Sequence, residues 1–292
     1  MFNKAVKNKA KLRLGIVGSA GSGKSYSSLL IAKGIGGKIA VIDTENGSAN
    51  LYAKLCDYDV CTIKPPYTVQ KYLQAIEFAE EEGYDTIIID SLSHAWAGEG
   101  GLLDQQGKIA DSGKNSFAAW RNITPQHNKL IEIILNSSCH IIATMRAKTD
   151  YVMQENDKGK QMPVKVGLAP VQREGMDYEF TVVFDIASNH TAVTSKDRTS
   201  LFDGQIFIPS EKTGQDLLKW LEDGVDEPKI TDKQIEQLES LKADKIALAK
   251  HYKIKSIKDL TQEQASQAIE AKQNKLDKMK ETEASNRMLE GE

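Results

Sequence analysis

The run Gly18-Ser19-Ala20-Gly21-Ser22-Gly23-Lys24-Ser25 fits the pattern G-x-x-x-x-G-K-[ST], and its chemistry is phosphate binding. Glycines let successive backbone N–H groups curl round phosphate oxygens, and a helix opening directly behind such a loop adds its positive end. Lys24 then reaches the β- and γ-phosphates of a nucleoside triphosphate, and the Ser25 hydroxyl ligates Mg²⁺. The nucleotide-binding stretch is read as Gly18, Ser19, Ala20, Gly21, Ser22, Gly23, Lys24, Ser25 and Tyr26, with ATP and Mg²⁺ as the expected cofactors. Hydrolysis needs carboxylates as well. Asp90 closes the apolar run TIIID and suits an aspartate that holds the magnesium shell. Asp43 and Glu45, in VIDTE, leave a second apolar run at the same expected edge. Glu45 is the candidate that polarises the attacking water, and Asp43 is favoured as a turn residue.

Short apolar runs alternating with helix-period stretches must carry these groups, which predicts an α/β fold with a mostly parallel central sheet. Strands are expected over Leu12–Val17, Lys38–Asp43, Thr86–Asp90 and His140–Met145. Helices are expected over Lys24–Lys33, Val69–Glu82 and Phe117–Asn136. Beyond residue 146 the pattern turns to hairpins, with a turn at Asn156–Lys160, strands over Tyr178–Ala187 and Thr191–Thr194, and a closing helix over Gly214–Asp223. Composition shifts to charged and polar at Gly224–Lys229. The expected organisation is a basic arm (1–11), an ATPase core (12–224), a linker (225–229), a small C-terminal helical module (230–275) and a charged tail (276–292).

With 40% hydrophobic and 27% charged residues, the chain of 292 residues has the material for a sizeable core, which excludes disorder throughout. The 38 Lys+Arg against 41 Asp+Glu leave a net charge of -3, so no global basic field marks nucleic acid, although local patches remain open. Cys56, Cys61 and Cys139 match neither a disulfide framework nor a metal-ligand spacing. With no apolar signal core and no membrane span, the expectation is a cytoplasmic protein.

The run IAVIDTENGSANLY (39–52), followed by TIIIDS (86–91), resembles the RecA-like ATPase core. More closely, residues 12–224 resemble phage-type RecA-like ATP-binding proteins of the single-strand annealing and recombination group. RNITPQH (121–127), HIIATMRAKTDY (140–151), VQREGMDYEFTVVF (171–184) and SKDRT (195–199) carry that likeness. The resemblance implies a RecA-like P-loop NTPase core acting in the host cytoplasm as a ring or filament of identical subunits. Its implied partners are single-stranded DNA and a single-stranded-DNA-binding protein. It gives Lys24, Ser25, Glu45 and Asp90 the roles already argued, and it matches Lys196 and Arg198 to a Lys-x-Arg pair inserted into a neighbour's nucleotide site. Such cations neutralise charge on the transferred phosphoryl group. The alternative is a solvated turn.

Strands like His140–Met145 end in a γ-phosphate sensor in such proteins, usually an amide. Here Thr144 or Arg146 stands in that place, with Lys148 following and Arg173 a further cation for phosphate or DNA. Two segments match DNA-facing loops: Ser93–Ser116, with His94, Trp96, Lys108 and Lys114, and Ala147–Met176, with Lys148, Tyr151, Lys158, Lys160, Lys165 and Arg173. Cations among aromatics suit single strands, and the same aromatics suit core packing. The C-terminal pattern, with Thr231 and Thr261 as helix caps, resembles a helical tail found on several phage recombination proteins. Competing readings are a helicase-type replication ATPase and a nucleotide-gated loader or partner-binding module.

Overall fold

The computed structural model describes residues 4–112, 116–155, 161–252 and 254–289. The expected turn Asn156–Lys160, which includes Lys158 and Lys160, lies outside the described residues, as does Lys114. The same holds for the side chains of Tyr151 and Lys165. Two compact units are present: Ala10–Glu222, and the described residues of Met1–Lys9 with Asp223–Glu292.

The larger unit runs β1 (Arg13–Gly18), α1 (Lys24–Ile35), β2 (Ile39–Asp43), β3 (Asp59–Thr62), α2 (Val69–Glu81), β4 (Thr86–Asp90), α3 (Ser93–Ala97), α4 (Leu102–Asp111) and α5 (Ser116–Asn136). It continues with β5 (His140–Glu155), β6 (Gln161–Pro170), β7 (Val182–Ile186), β8 (Ala192–Asp197) and α6 (Glu211–Glu222). The sheet order is β3-β2-β4-β5-β1-β7-β8. All neighbours are parallel except β8, which returns antiparallel to β7, and β6, which pairs antiparallel with the part of β5 beyond Arg146.

Why the central strands are continuously apolar follows from their neighbours. Ile87 and Ile89 point into a cluster with Tyr72 and Ile76 of α2 and Ile123 and Leu130 of α5. Ile88, between them, points to the opposite face with Leu29 and Ile31 of α1 and Leu217 of α6. Both faces are covered, so neither half of the strand alternation is free to be polar. Gly34 and Gly214 let α1 and α6 touch backbone to backbone, because a Cβ on Gly34 would run into the carbonyl of Glu211 and one on Gly214 into that of Ile31.

Several expectations change. The glycine-dotted stretch after Asp90 is no open loop: it folds as α3 and α4. Short helices separated by Gly98–Gly101 carry too little periodicity to be read from sequence. The edge strand β3 was not anticipated. The strand expected over Tyr178–Ala187 begins only at Val182, with a 3-10 turn at Met176–Glu179 before it.

In the smaller unit, α7 (Asp232–Ser240), α8 (Lys245–His251) and α9 (Gln262–Leu289) pack round Leu238, Leu260, Ala265 and Ala268. Thr231 caps α7 through a box with Gln234. Thr261 does the same with Gln264, at 3.0 and 3.1 Å. The basic arm is not a free start over its described part: Lys9 N donates to Val225 O at 2.9 Å and Val225 N to Lys7 O at 3.0 Å. α9 continues helical through residues 276–289, the stretch read as a charged tail.

Candidate nucleotide site

Parallel register brings the ends of β1, β2, β4 and β5 to one edge, where ligands gather in open α/β sheets. Gly18 pairs with Arg146 on one side and Ile186 on the other, and Asp43 pairs with Asp90. The loop 18–25 opens α1 at Lys24. Its Gly21 and Gly23 have φ of 74° and 91°, which a side chain would strain. Neither a capping side chain nor an acidic residue satisfies the first turn of α1. Its N–H groups and the helix dipole are thus left for an anion. Ser22 Oγ is buried with no hydrogen-bond partner. A Cβ on Gly18 would run into that hydroxyl. This donor set fits a polyphosphate.

Lys24 Nζ donates to Gly18 O at 3.0 Å and Ser19 O at 2.8 Å. Burial lowers its pKa, opposed by the charges of Asp90 and Glu45. The Ser25 hydroxyl donates to Asp90 Oδ2, and Thr144 Oγ1 donates to Asp90 Oδ1 at 2.6 Å. Burial raises the Asp90 pKa, and these two hydroxyls offset only part of that rise. Among the described residues no group of three or more His, Cys, Asp or Glu could hold a metal. A hydroxyl and a carboxylate in contact, as Ser25 and Asp90 are, instead fit Mg²⁺ shared with phosphate oxygens.

Glu45 is positioned by the turn after β2. Asp43 Oδ1 accepts from Glu45 N at 2.6 Å and Oδ2 from Ala49 N at 3.4 Å, so Asp43 does serve the turn. The Glu45 carboxylate is held by Arg146 through both oxygens, Nε to Oε1 at 3.0 Å and a terminal nitrogen to Oε2 at 2.6 Å. Thr44, between Asp43 and Glu45, is clamped on every side. Its hydroxyl accepts from Ser91 N at 2.8 Å and lies 2.7 Å from His94 Nδ1, and its carbonyl accepts from Tyr67 at 3.3 Å. The Tyr67 and His94 rings stack at 4.7 Å. The Thr44 hydroxyl is also placed to donate to Ser91 O at 3.2 Å. Burial, then the charge of Arg146, lowers the His94 pKa. The Asp90–Ser91 peptide is cis.

Sequence reasoning missed Thr44, Tyr67, His94 as a clamp, and His190. The His190 ring, in the β7–β8 turn, donates from Nδ1 to Ser22 O at 3.0 Å and lies against Gly23. A positive φ of 69° puts it there. Nothing at sequence level separates these residues from ordinary polar ones; adjacency to Glu45 was the sole available signal for Thr44. Tyr26 is exposed and meets Tyr52 edge to face at 6.0 Å.

Other expected residues lie apart from the loop. Lys196 pairs with Val183 and Asp197 with Val182, at the end of β7 opposite Ile186 and Gly18. Lys196 Nζ donates to the carbonyls of Tyr178 and Asp177, and Arg198 donates to Tyr178 O at 3.5 Å. Neither reaches the phosphate loop of its own chain. Trp96 is only 9% exposed, stacked on Trp120 at 5.9 Å and edge-on to His127 at 5.8 Å. It is a core residue, unavailable for base stacking. Lys108 pairs with Asp104 one helical turn away. Lys148 is exposed on β5, and the charge of half-buried Arg173 adds to burial, the larger cause, in lowering the His127 pKa.

A family model described as AAA domain matches residues 10–215. No curated protein matches the chain. The match spans more than half of the sequence, so the chain belongs to the AAA domain family: it carries an AAA/P-loop ATPase-type domain with an α/β fold and a mostly parallel sheet.

Proposed function

We propose that this AAA-domain chain is a RecA-like ATPase of the phage recombination group, coupling ATP hydrolysis to single-stranded DNA in an assembly of identical subunits in the host cytoplasm. The observation that carries the catalytic part is the meeting of Lys24, Ser25, Asp90, Thr144 and Glu45 at one sheet edge over an anion-binding loop. Lys24 exchanges the carbonyls of Gly18 and Ser19 for β- and γ-phosphate oxygens, and the loop N–H groups hold the rest. Ser25 and Asp90 would hold Mg²⁺, which when bound supplies neutralising charge to the phosphate oxygens. Thr144, bonded to Asp90, orients that carboxylate. Glu45 aligns the attacking water and takes its proton.

Two further observations support the coupling. Lys196 and Arg198 sit too far along β7 and β8 to serve their own loop, so their charge is available to a second copy's nucleotide, as an inter-subunit finger requires. β5 and β6 leave the core sheet beyond Arg146 as a two-stranded extension that carries exposed Lys148 at its root, the position where a single strand would lie. With Trp96 in the core, DNA contact rests on this second segment.

Steady-state ATP hydrolysis with single-stranded DNA, with duplex and with neither, using Lys24→Ala as the blank, tests the reading. Stimulation by single strands well above that by duplex is expected. Turnover indifferent to DNA would leave the ATPase and remove the DNA, favouring a nucleotide-gated protein partner.

A further inference from the structure

We propose that His190 is a positioning residue of the phosphate loop: its ring holds the Ser22 carbonyl outward, which keeps the Gly23 N–H aimed at the phosphates and tightens nucleotide binding. This rests on the loop 18–25 being the nucleotide site, and it adds to that site a residue 168 positions from Ser22.

The contact has one possible polarity. A carbonyl oxygen only accepts, so the 3.0 Å approach of His190 Nδ1 to Ser22 O puts the hydrogen on Nδ1. The Ser22–Gly23 peptide is trans, so its C=O and N–H point in opposite directions. A donor that fixes the carbonyl on one side therefore fixes the N–H on the other. It also polarises the peptide, which makes that N–H a better donor to an anion. Gly23 admits the ring, because a Cβ there would stand only 3.0 Å from Nδ1.

The β7–β8 turn is built to put the ring there. Ile186 of β7 pairs with Gly18, so the hairpin leaves the sheet beside the start of the loop. Ala187 N donates to Thr191 O and His190 N to Ala187 O, both at 2.9 Å. Asn189 Oδ1 accepts from Thr191 N at 3.2 Å and from the Thr191 hydroxyl at 2.7 Å. These bonds hold His190 at a φ of 69°, a left-handed conformation that asparagine, aspartate and histidine adopt more readily than other side chains. His190 is exposed, so water competes for the carbonyl and the gain in affinity is a modest factor.

Two substitutions separate the donor from the shape of the turn, because asparagine and aspartate suit the same backbone and differ in one group. His190→Asn puts an N–H donor in the place of Nδ1, whereas His190→Asp puts there an oxygen that only accepts. ADP affinity is measured by calorimetry on the full chain, with Lys24→Ala as the blank. Affinity within about twofold of wild type is expected for His190→Asn, and a loss of about five- to tenfold for His190→Asp and His190→Ala. In ATP turnover the same loss should appear as a raised KM with kcat within about twofold, since the loop holds the phosphates alike before and during reaction. The rise in melting temperature on adding ADP should rank the variants in the same order, even where a variant's own melting point falls. Equal losses in the Asn and Asp variants would make His190 a shape element and overturn its positioning role, as would a fall in kcat at unchanged KM. If wild type binds ADP no better than Lys24→Ala does, the reading of the loop fails; if wild type binds and His190→Asp binds equally well, the role of His190 alone fails.

Discussion

Asp90 and Glu45 leave neighbouring strands at the same edge, yet their surroundings are opposite. Asp90 is 3% exposed, with both oxygens bonded to buried or half-buried hydroxyls of Ser25 and Thr144. Glu45 has a side chain 25% exposed and pairs with Arg146, whose own side chain is 49% exposed. The contrast separates two demands on an ATPase site. On the proposed reading, the carboxylate assigned to the metal is immobilised by packing, whereas the one assigned to the water is left accessible.

The comparison is sharpened most by removing Asp90. Asp90→Ala should cost about 10²–10³-fold in turnover. It should also lower thermal stability, because it leaves Thr144 and Ser25 hydroxyls unpaired at about 1–3 kcal/mol, or roughly 3–10 °C for a chain of this size. Glu45→Gln should lose turnover with a melting point within about 2 °C of wild type. Equal thermal losses would erase the distinction between a packed and an accessible carboxylate.

The next effect concerns two buried histidines away from both carboxylates, His140 at the start of β5, paired with Thr86, and His127 in α5. Burial, first among the causes, lowers His140 and His127 to about 4. His140 Nδ1 accepts from Leu12 N at 3.0 Å, which only the neutral ring can do. Folding favours the neutral form, so this stability is fully present above the ordinary histidine value and is lost as pH falls from about 6.5 toward 4. For His140 it amounts to at most about 3 kcal/mol. Melting curves from pH 7 to 4.5 should show a steady decline, and His140→Asn should flatten it. A melting point independent of pH over that range would contradict the burial argument.

The smallest effect lies between the two carboxylates. Thr44→Val removes the acceptor for Ser91 N and the hydroxyl that meets His94, leaving a buried N–H unpaired at about 1–3 kcal/mol. A loss of kcat of up to about tenfold with unchanged analogue affinity is expected, since the clamp touches Glu45 and not the phosphate loop. Weakened nucleotide binding instead would place Thr44 on the Asp90 side of the comparison.

How much of this was legible in the sequence follows the same division. The phosphate loop, Asp90 and the apolar strands are local patterns, in which spacing alone fixes the neighbours, so they can be read residue by residue. Glu45 could be named because it ends an apolar strand, but its partner lies 101 residues away on β5 and no local pattern joins them. The clamp of Thr44, Tyr67 and His94, and the contact of His190 with Ser22, depend on tertiary placement of ordinary polar residues. Trp96 misled because a tryptophan among glycines and lysines reads equally as a stacking platform or as core; only α5, supplying Trp120 and His127, decides it. The α3 and α4 helices were missed for a related reason. They are short and glycine-bounded, and packing against α5, not propensity, holds them.

On the proposed reading Glu45 drives hydrolysis while Lys24, Ser25 and Asp90 hold the nucleotide. The most direct measurement is ATP binding and ATP turnover on the same sample of Glu45→Gln. Affinity within about twofold of wild type and turnover lower by about 10²-fold or more are expected. Near wild-type turnover, or loss of binding together with turnover, would contradict that reading.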